Sequence, residues 1–302
     1  MFKKKQSIIS YDDKNIDVFA PQGNRVHSWH RDKGFDLVET NSEYHFFCKD
    51  CGQNNHNSVS KPEFTYKFNN YKFRSDDFFI EDASENYLFS GCSHTFGLGL
   101  PIETTWGYQV NQSLNGKKFL NLAVSGSSYK QIFLNIYKYL NLFDKPKAIF
   151  LLLPDLNRYD YIDTISKVKF LKTSYFISSS LYSKSEELLK MLNYETLFFN
   201  FINEIVVLEM YCKKLGIPLY WSTWNERLYS EIISFKQNHH ESNIILNNFV
   251  YWDESCYPDQ NNTLFNKKYK LYARDKEHFG TIAHEFFYNC FLKRIKDEKN
   301  NQ

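Results

Sequence analysis

From Tyr87 onward the chain alternates between two textures. Four short runs, YLFSGC (87–92), KFLNLA (118–123), KAIFLLL (147–153) and IPLYWST (217–223), are apolar enough for strands buried on both faces of a parallel sheet. The segments between them carry helical spacing. One helical stretch falls near 105–115, and Ile132, Ile136, Tyr139 and Leu140 mark a helix over 127–142. Leu188, Leu192, Phe199, Ile202 and Val206 suggest a longer helix over 185–215, closed by Gly216 and Pro218. A last helix, 281–296, has Thr281 as its N-cap and Lys293, Arg294 and Lys296 near its negative end.

This βαβαβ order predicts an α/β fold: a three-layer α/β/α sandwich with a mainly parallel sheet and right-handed crossovers, binding ligands beyond the carboxyl ends of its strands. Residues 155–184, rich in Ser, Tyr and Lys, follow the third strand at that edge and are expected to form a lid or substrate loop. Residues 1–85 are different, polar and irregular with turn clusters such as PQGN and GQNNHNS. They read as an N-terminal extension with short strands, leaving 86–302 as the main domain.

Charge and composition narrow the function classes. The 37 basic and 35 acidic residues nearly balance, so no electrostatic footprint for nucleic acid or an anionic membrane is present. The basic start, MFKKKQSIISYDDKN, lacks the apolar run of a secretory signal, and no stretch is apolar for the length of a membrane span. A cytoplasmic location is the expectation. Of the six cysteines only Cys48 and Cys51 are close neighbours, which argues for reduced thiols. The 28 Phe and 22 Tyr come with abundant Asn, Lys and Ile, and an AT-rich coding sequence explains them better than an aromatic binding surface.

Candidate chemistry concentrates in FSGCSHTFGLGLP (89–101), where a strand runs into small residues and glycine-spaced turns. Such a turn presents Ser93 at the strand end, with following backbone N–H groups able to face a developing oxyanion. Read blandly, the string is a strand ending in a Gly-rich turn. Near the carboxyl end, ARDKEHFGTIAHEFF places Asp275 three residues before His278. An Asp-x-x-His turn lets the carboxylate accept the imidazole Nδ1–H, leaving Nε2 free to take a proton from serine. His284, on the helix that follows, reads as a packing or hydrogen-bonding residue.

Gly91, Ser93, Thr95, Phe96 and Gly97 resemble the first block of SGNH (GDSL-like) serine hydrolases, with Cys92 where Asp is usual, and Asp275/His278 resemble the last block. The resemblance spans roughly residues 86–297 and implies a flavodoxin-like SGNH fold with a Ser93–His278–Asp275 triad. The second block corresponds to NLAVSGSSYKQI (121–132), which implies an oxyanion N–H from Gly126; the same glycine could simply start a helix capped by Ser125 or Ser127. The third block is the poorest match, since the strand runs into LPDLNRYD. Asn157 is the asparagine available for the oxyanion role, with Arg158 or a water in its place if the register shifts. The resemblance thus implies an oxyanion hole of Ser93, Gly126 and Asn157, and esterase chemistry without a catalytic cofactor on a small-molecule or glycan ester such as an O-acetyl group. Acyl transfer on the same scaffold, or a non-catalytic binding module, are the rivals; the oligomeric state is open. The stretch FNNYKFRSDDF (68–78) resembles what often precedes the nucleophile strand in members with such an extension.

The extension carries its own signal, HFFCKDCGQNNH (45–56). Cys48 and Cys51 form half of a tetrahedral zinc site, which His27 and His30, or His45 and His56, could complete as a structural zinc knuckle. A surface hairpin with two reduced thiols is the alternative reading, and a thioredoxin-type role is disfavoured because no helix follows.

Overall fold

Alternation along each strand divides the apolar side chains between two faces, and both faces are covered. The computed structural model describes residues 41–45, 63–69, 71, 73–78, 85–98, 100–163, 170–175, 193–239, 246–256 and 278–300. In chain order its elements begin with β1 (Asn41–His45), β2 (Glu63–Lys67), β3 (Tyr87–Gly91), α1 (Ser93–Phe96), α2 (Trp106–Ser113), β4 (Phe119–Asn121) and α3 (Tyr129–Leu142). They continue with β5 (Ala148–Leu153), β6 (Arg158–Asp163), β7 (Phe170–Tyr175), α4 (Tyr194–Leu215), β8 (Leu219–Thr223), α5 (Glu226–Asn238) and α6 (Thr281–Asn300).

The four expected strands form one parallel sheet in the order β4-β3-β5-β8. Residues 248–250 extend it: Trp221 N–H donates to the Asn248 carbonyl and Val250 N–H to the Trp221 carbonyl, a parallel bridge on the free edge of β8. That gives the 2-1-3-4-5 order of flavodoxin-like sheets. On one face Leu88, Leu120, Ile149, Leu151 and Trp221 pack against Ile132 and Ile136 of α3, Leu208 of α4 and Ile232 of α5. On the other, Phe89, Phe119, Phe150 and Leu152 pack against Trp106 and Val110 of α2 and Phe287 and Phe291 of α6. The three-layer α/β/α sandwich with a mainly parallel sheet is therefore the observed architecture.

Several elements differ from the sequence reading. Within the expected lid, β6 and β7 pair as an antiparallel hairpin, a period-2 element masked by its Tyr, Ser and Asp content. Helix α5 was not expected; Asn225 caps it by accepting from Leu228 N–H, while Leu228 and Ile232 alone are fully buried on its inner face. In α4 the buried stripe runs through Leu197, Phe201, Ile202, Ile205, Leu208 and Cys212, with Val206 packed beside it, so the expected Ile202 and Val206 face the core while Phe199 is 67% exposed. Thr281 is the first helical residue of α6 rather than its cap, since His284 N–H donates to the Gly280 carbonyl. Helix α3 is capped by Ser128, which accepts from Gln131 N–H, because Ser127 turns its hydroxyl to the Gly91 and Val124 carbonyls. Cys92, Cys212, Cys256 and Cys290 are buried free thiols. Among the described residues no helix is long and apolar enough to cross a membrane.

Candidate active site

Two neighbours force a glycine at the end of β3. A Cβ on Gly91 would stand 2.0 Å from Thr95 Oγ1 and 2.6 Å from the Leu152 carbonyl oxygen, so only glycine lets α1 fold back onto the strand ends. Ser93 is the first residue of that single turn, which Gly97 ends in the left-handed conformation with its N–H on the Ser93 carbonyl.

The carbonyls left over at the end of so short a helix need donors. Arg74 supplies them: Nη1 donates to the Phe96 and Gly97 carbonyls at 2.9 and 2.8 Å, and Nη2 to the Leu100 carbonyl at 2.8 Å. Beside it, Asp76 and Ser75 bind the exposed edge of β4. Asp76 Oδ2 accepts from Phe119 N–H, and Ser75 Oγ accepts from Asn121 N–H. The segment around Arg74 thus braces the turn that carries Ser93.

The surroundings of Ser93 are tight. Its side chain is 1% exposed, and its hydroxyl contacts Cys92 Sγ at 3.9 Å. Trp224, just beyond β8, donates its indole N–H to the same sulfur at 3.1 Å and lays its ring 4.5 Å from that of His94. The ring of His278 lies 5.2 Å from His94, and Phe279 4.4 Å. His278, from the far end of the chain, therefore reaches the residue next to Ser93. Ser93 Oγ meets the Cys92 sulfur and makes no hydrogen bond to His278. Asp275 lies outside the described residues, as do Cys48, Cys51, His27, His30 and His56.

His94 is buried, with Nδ1 lacking a hydrogen-bond partner among the described residues. Its pKa is held well below the ordinary imidazole range, first by burial and then by His278, His284 and Arg158. His284 is buried too, and its Nδ1 accepts the Trp106 N–H at 3.1 Å, satisfying an orphan donor at the start of α2. Burial, Arg74 and His278 push its pKa down to about 3, so it stays neutral and packs as the sequence suggested.

Gly126 has φ +76°, and among the described residues no heavy atom lies within 4 Å of where a Cβ would point. Asn157 is turned onto its own loop, its N–H on Asp155 Oδ1 at 3.0 Å and its Nδ2 on Asp155 Oδ2 at 3.2 Å. Arg158 is 4% exposed; its Nη1 donates to the Ser127 carbonyl at 3.0 Å and its guanidinium lies 5.6 Å from the centre of a Trp224 ring. His94, Arg74 and Trp224 carried no role in the sequence reading. His94 stood beside the serine and Arg74 inside the 68–78 stretch, but their importance comes from partners far along the chain.

No protein-family model matches the chain, and no curated protein matches it. Among solved structures, one titled "Crystal Structure of TesA" is similar with a TM-score of 0.42 and 12% identity, over 70% of this chain and 98% of that one. The class defined here is that of α/β proteins whose parallel sheet carries a serine turn at a strand's carboxyl end.

Proposed function

We propose that the protein is a serine hydrolase of acyl esters, with Ser93 as nucleophile, His278 as base and Asp275 as the carboxylate that orients it. The observation that carries this reading is the approach of His278 to the residue beside Ser93, at the sheet edge where such folds bind ligands. Ser93 Oγ attacks the ester carbonyl while His278 Nε2 accepts its proton, and Asp275 stabilises the imidazolium. Backbone N–H groups at Ser93 and Gly126 hold the oxyanion. The imidazolium then protonates the departing alkoxide, and water, activated by the same histidine, releases the acid. An O-acetyl group on a carbohydrate is the substrate class we favour.

The test is turnover of p-nitrophenyl acetate, butyrate and octanoate. Ser93→Ala and His278→Ala should each lower kcat by at least about 10³-fold, and the double variant should be little worse, because the triad acts as a unit. Activity that survives Ser93→Ala, or wild-type protein inert on every ester, would contradict the reading.

A further inference from the structure

Among the four buried thiols of the described residues, two meet. Cys256 ends a single 3-10 turn, Glu254–Cys256, and Cys290 sits on the buried face of α6. Both belong to the core cluster that α2 and α6 share, at 5% and 4% exposure. Their side chains are hydrogen-bonded to each other, Cys290 donating and Cys256 accepting. Further bonds clasp the turn to the helix around that contact. Asn289 Nδ2 donates to the Cys256 carbonyl at 3.0 Å, and one helical turn further on Lys293 pairs with Asp253 and donates to Ser255 Oγ at 3.2 Å. Residues on either side of Cys290 thus hold the two sulfurs together. Glu254 and Ser255 are exposed, so the junction lies just under the surface, where a small solute can reach it.

We propose that Cys256 and Cys290 are a modification site, at which a hydroperoxide closes a reversible disulfide between the turn and α6. The pair is chemically unequal. The hydrogen bond from Cys290, aided by Lys293 and Ser255, outweighs burial and the Asp253 carboxylate and holds the Cys256 thiol below its ordinary pKa, while the same bond and burial push Cys290 up. Cys256 is therefore the readier nucleophile. Its thiolate attacks one peroxide oxygen, the O–O bond breaks, and the departing hydroxide takes up the proton that Cys256 released, leaving a sulfenic acid and water. The Cys290 sulfur then attacks the Cys256 sulfur, and the S–O bond breaks as the hydroxyl leaves with the Cys290 proton as a second water. Two thiols lose two electrons in all, and one peroxide is reduced to two waters. The loop so closed, residues 256–290, includes Asp275 and His278, although the inference does not rest on the hydrolase reading.

The experiment treats the reduced whole chain with hydrogen peroxide, blocks the remaining thiols with iodoacetamide under denaturing conditions, and maps linked peptides by mass spectrometry. It is run in buffer and in concentrated urea, where folding no longer holds the sulfurs together. The native protein should yield one dominant linked pair, Cys256–Cys290, reopened by dithiothreitol, and urea should lower the yield of that pair at least about 10-fold. In Cys290→Ser the second step is blocked, so dimedone should trap Cys256 as its sulfenic acid. In Cys256→Ser, Cys290 should remain open to iodoacetamide. Should either variant fail to fold, the wild-type map decides the matter by itself. Cys256 and Cys290 both alkylated after peroxide, linked instead to other cysteines such as Cys48 or Cys51, or linked equally well in urea, would overturn the inference whatever the esterase assays give.

Discussion

His284 illustrates how one residue can be read for its type and still need its partner to be understood. The sequence marks it as a histidine on a helix; the structure gives it the Trp106 N–H and complete burial. With a folded pKa of about 3 against an ordinary 6.5, it stays neutral in the native state while an unfolded chain would take up a proton. The stability it contributes is thus present above about pH 6.5 and is lost as pH falls toward 3. Urea denaturation at several pH values should show stability declining with acidity across that range. His284→Gln, whose Oε1 can still accept the Trp106 N–H, should be less acid-sensitive by about one proton's worth of slope. An unchanged slope would show that other groups carry the acid sensitivity. The places of Ser93 and Gly126 in the turns after β3 and β4 were legible for a related reason: small residues that follow short apolar runs mark strand ends in sequence. Asn157 and Arg158 were not separable there, because which of two adjacent side chains turns inward depends on Asp155 and Trp224.

Whole elements were legible where the apolar period was strong and missed where it was weak. The four sheet strands and helix α3 stood out because strand runs buried on both faces, and Ile132, Ile136 and Tyr139 on a helix, leave little ambiguity. Helix α5 escaped because only Leu228 and Ile232 are fully buried on it, and the β6–β7 pair because RYDYID and FLKTSY show no regular alternation of apolar and polar residues in sequence. Helix α4 misled through Phe199, which faces outward, while a carboxylate, Glu209, faces in. Glu209 accepts the Trp221 indole N–H at 2.7 Å, and burial raises its pKa to about 7 despite that bond. Its folded value exceeds the ordinary 4.5, so its contribution is full below about pH 4.5 and is lost as pH rises to about 7. The stability gap between wild type and Glu209→Gln should therefore shift in the variant's favour by roughly 1–3 kcal/mol between pH 4.5 and pH 8. A gap independent of pH, measured by the same denaturation series, would mean that folding leaves the pKa of Glu209 unchanged.

At the scale of the molecule, three distant stretches converge on one sheet edge: Arg74 braces the turn, β3 delivers Ser93, and His278 arrives just ahead of α6. The order of blocks along the chain gave no sign of Arg74, whose three carbonyl acceptors exist only once α1 has formed. The central claim is that this edge activates Ser93 and no other serine. Its most direct measurement is fluorophosphonate labelling of the folded protein, with the modified peptide identified by mass spectrometry. The account predicts a single adduct on Ser93, abolished in Ser93→Ala and by prior heat denaturation; an adduct on Ser125, Ser127 or Ser128, or no adduct at all on the native protein, would contradict it.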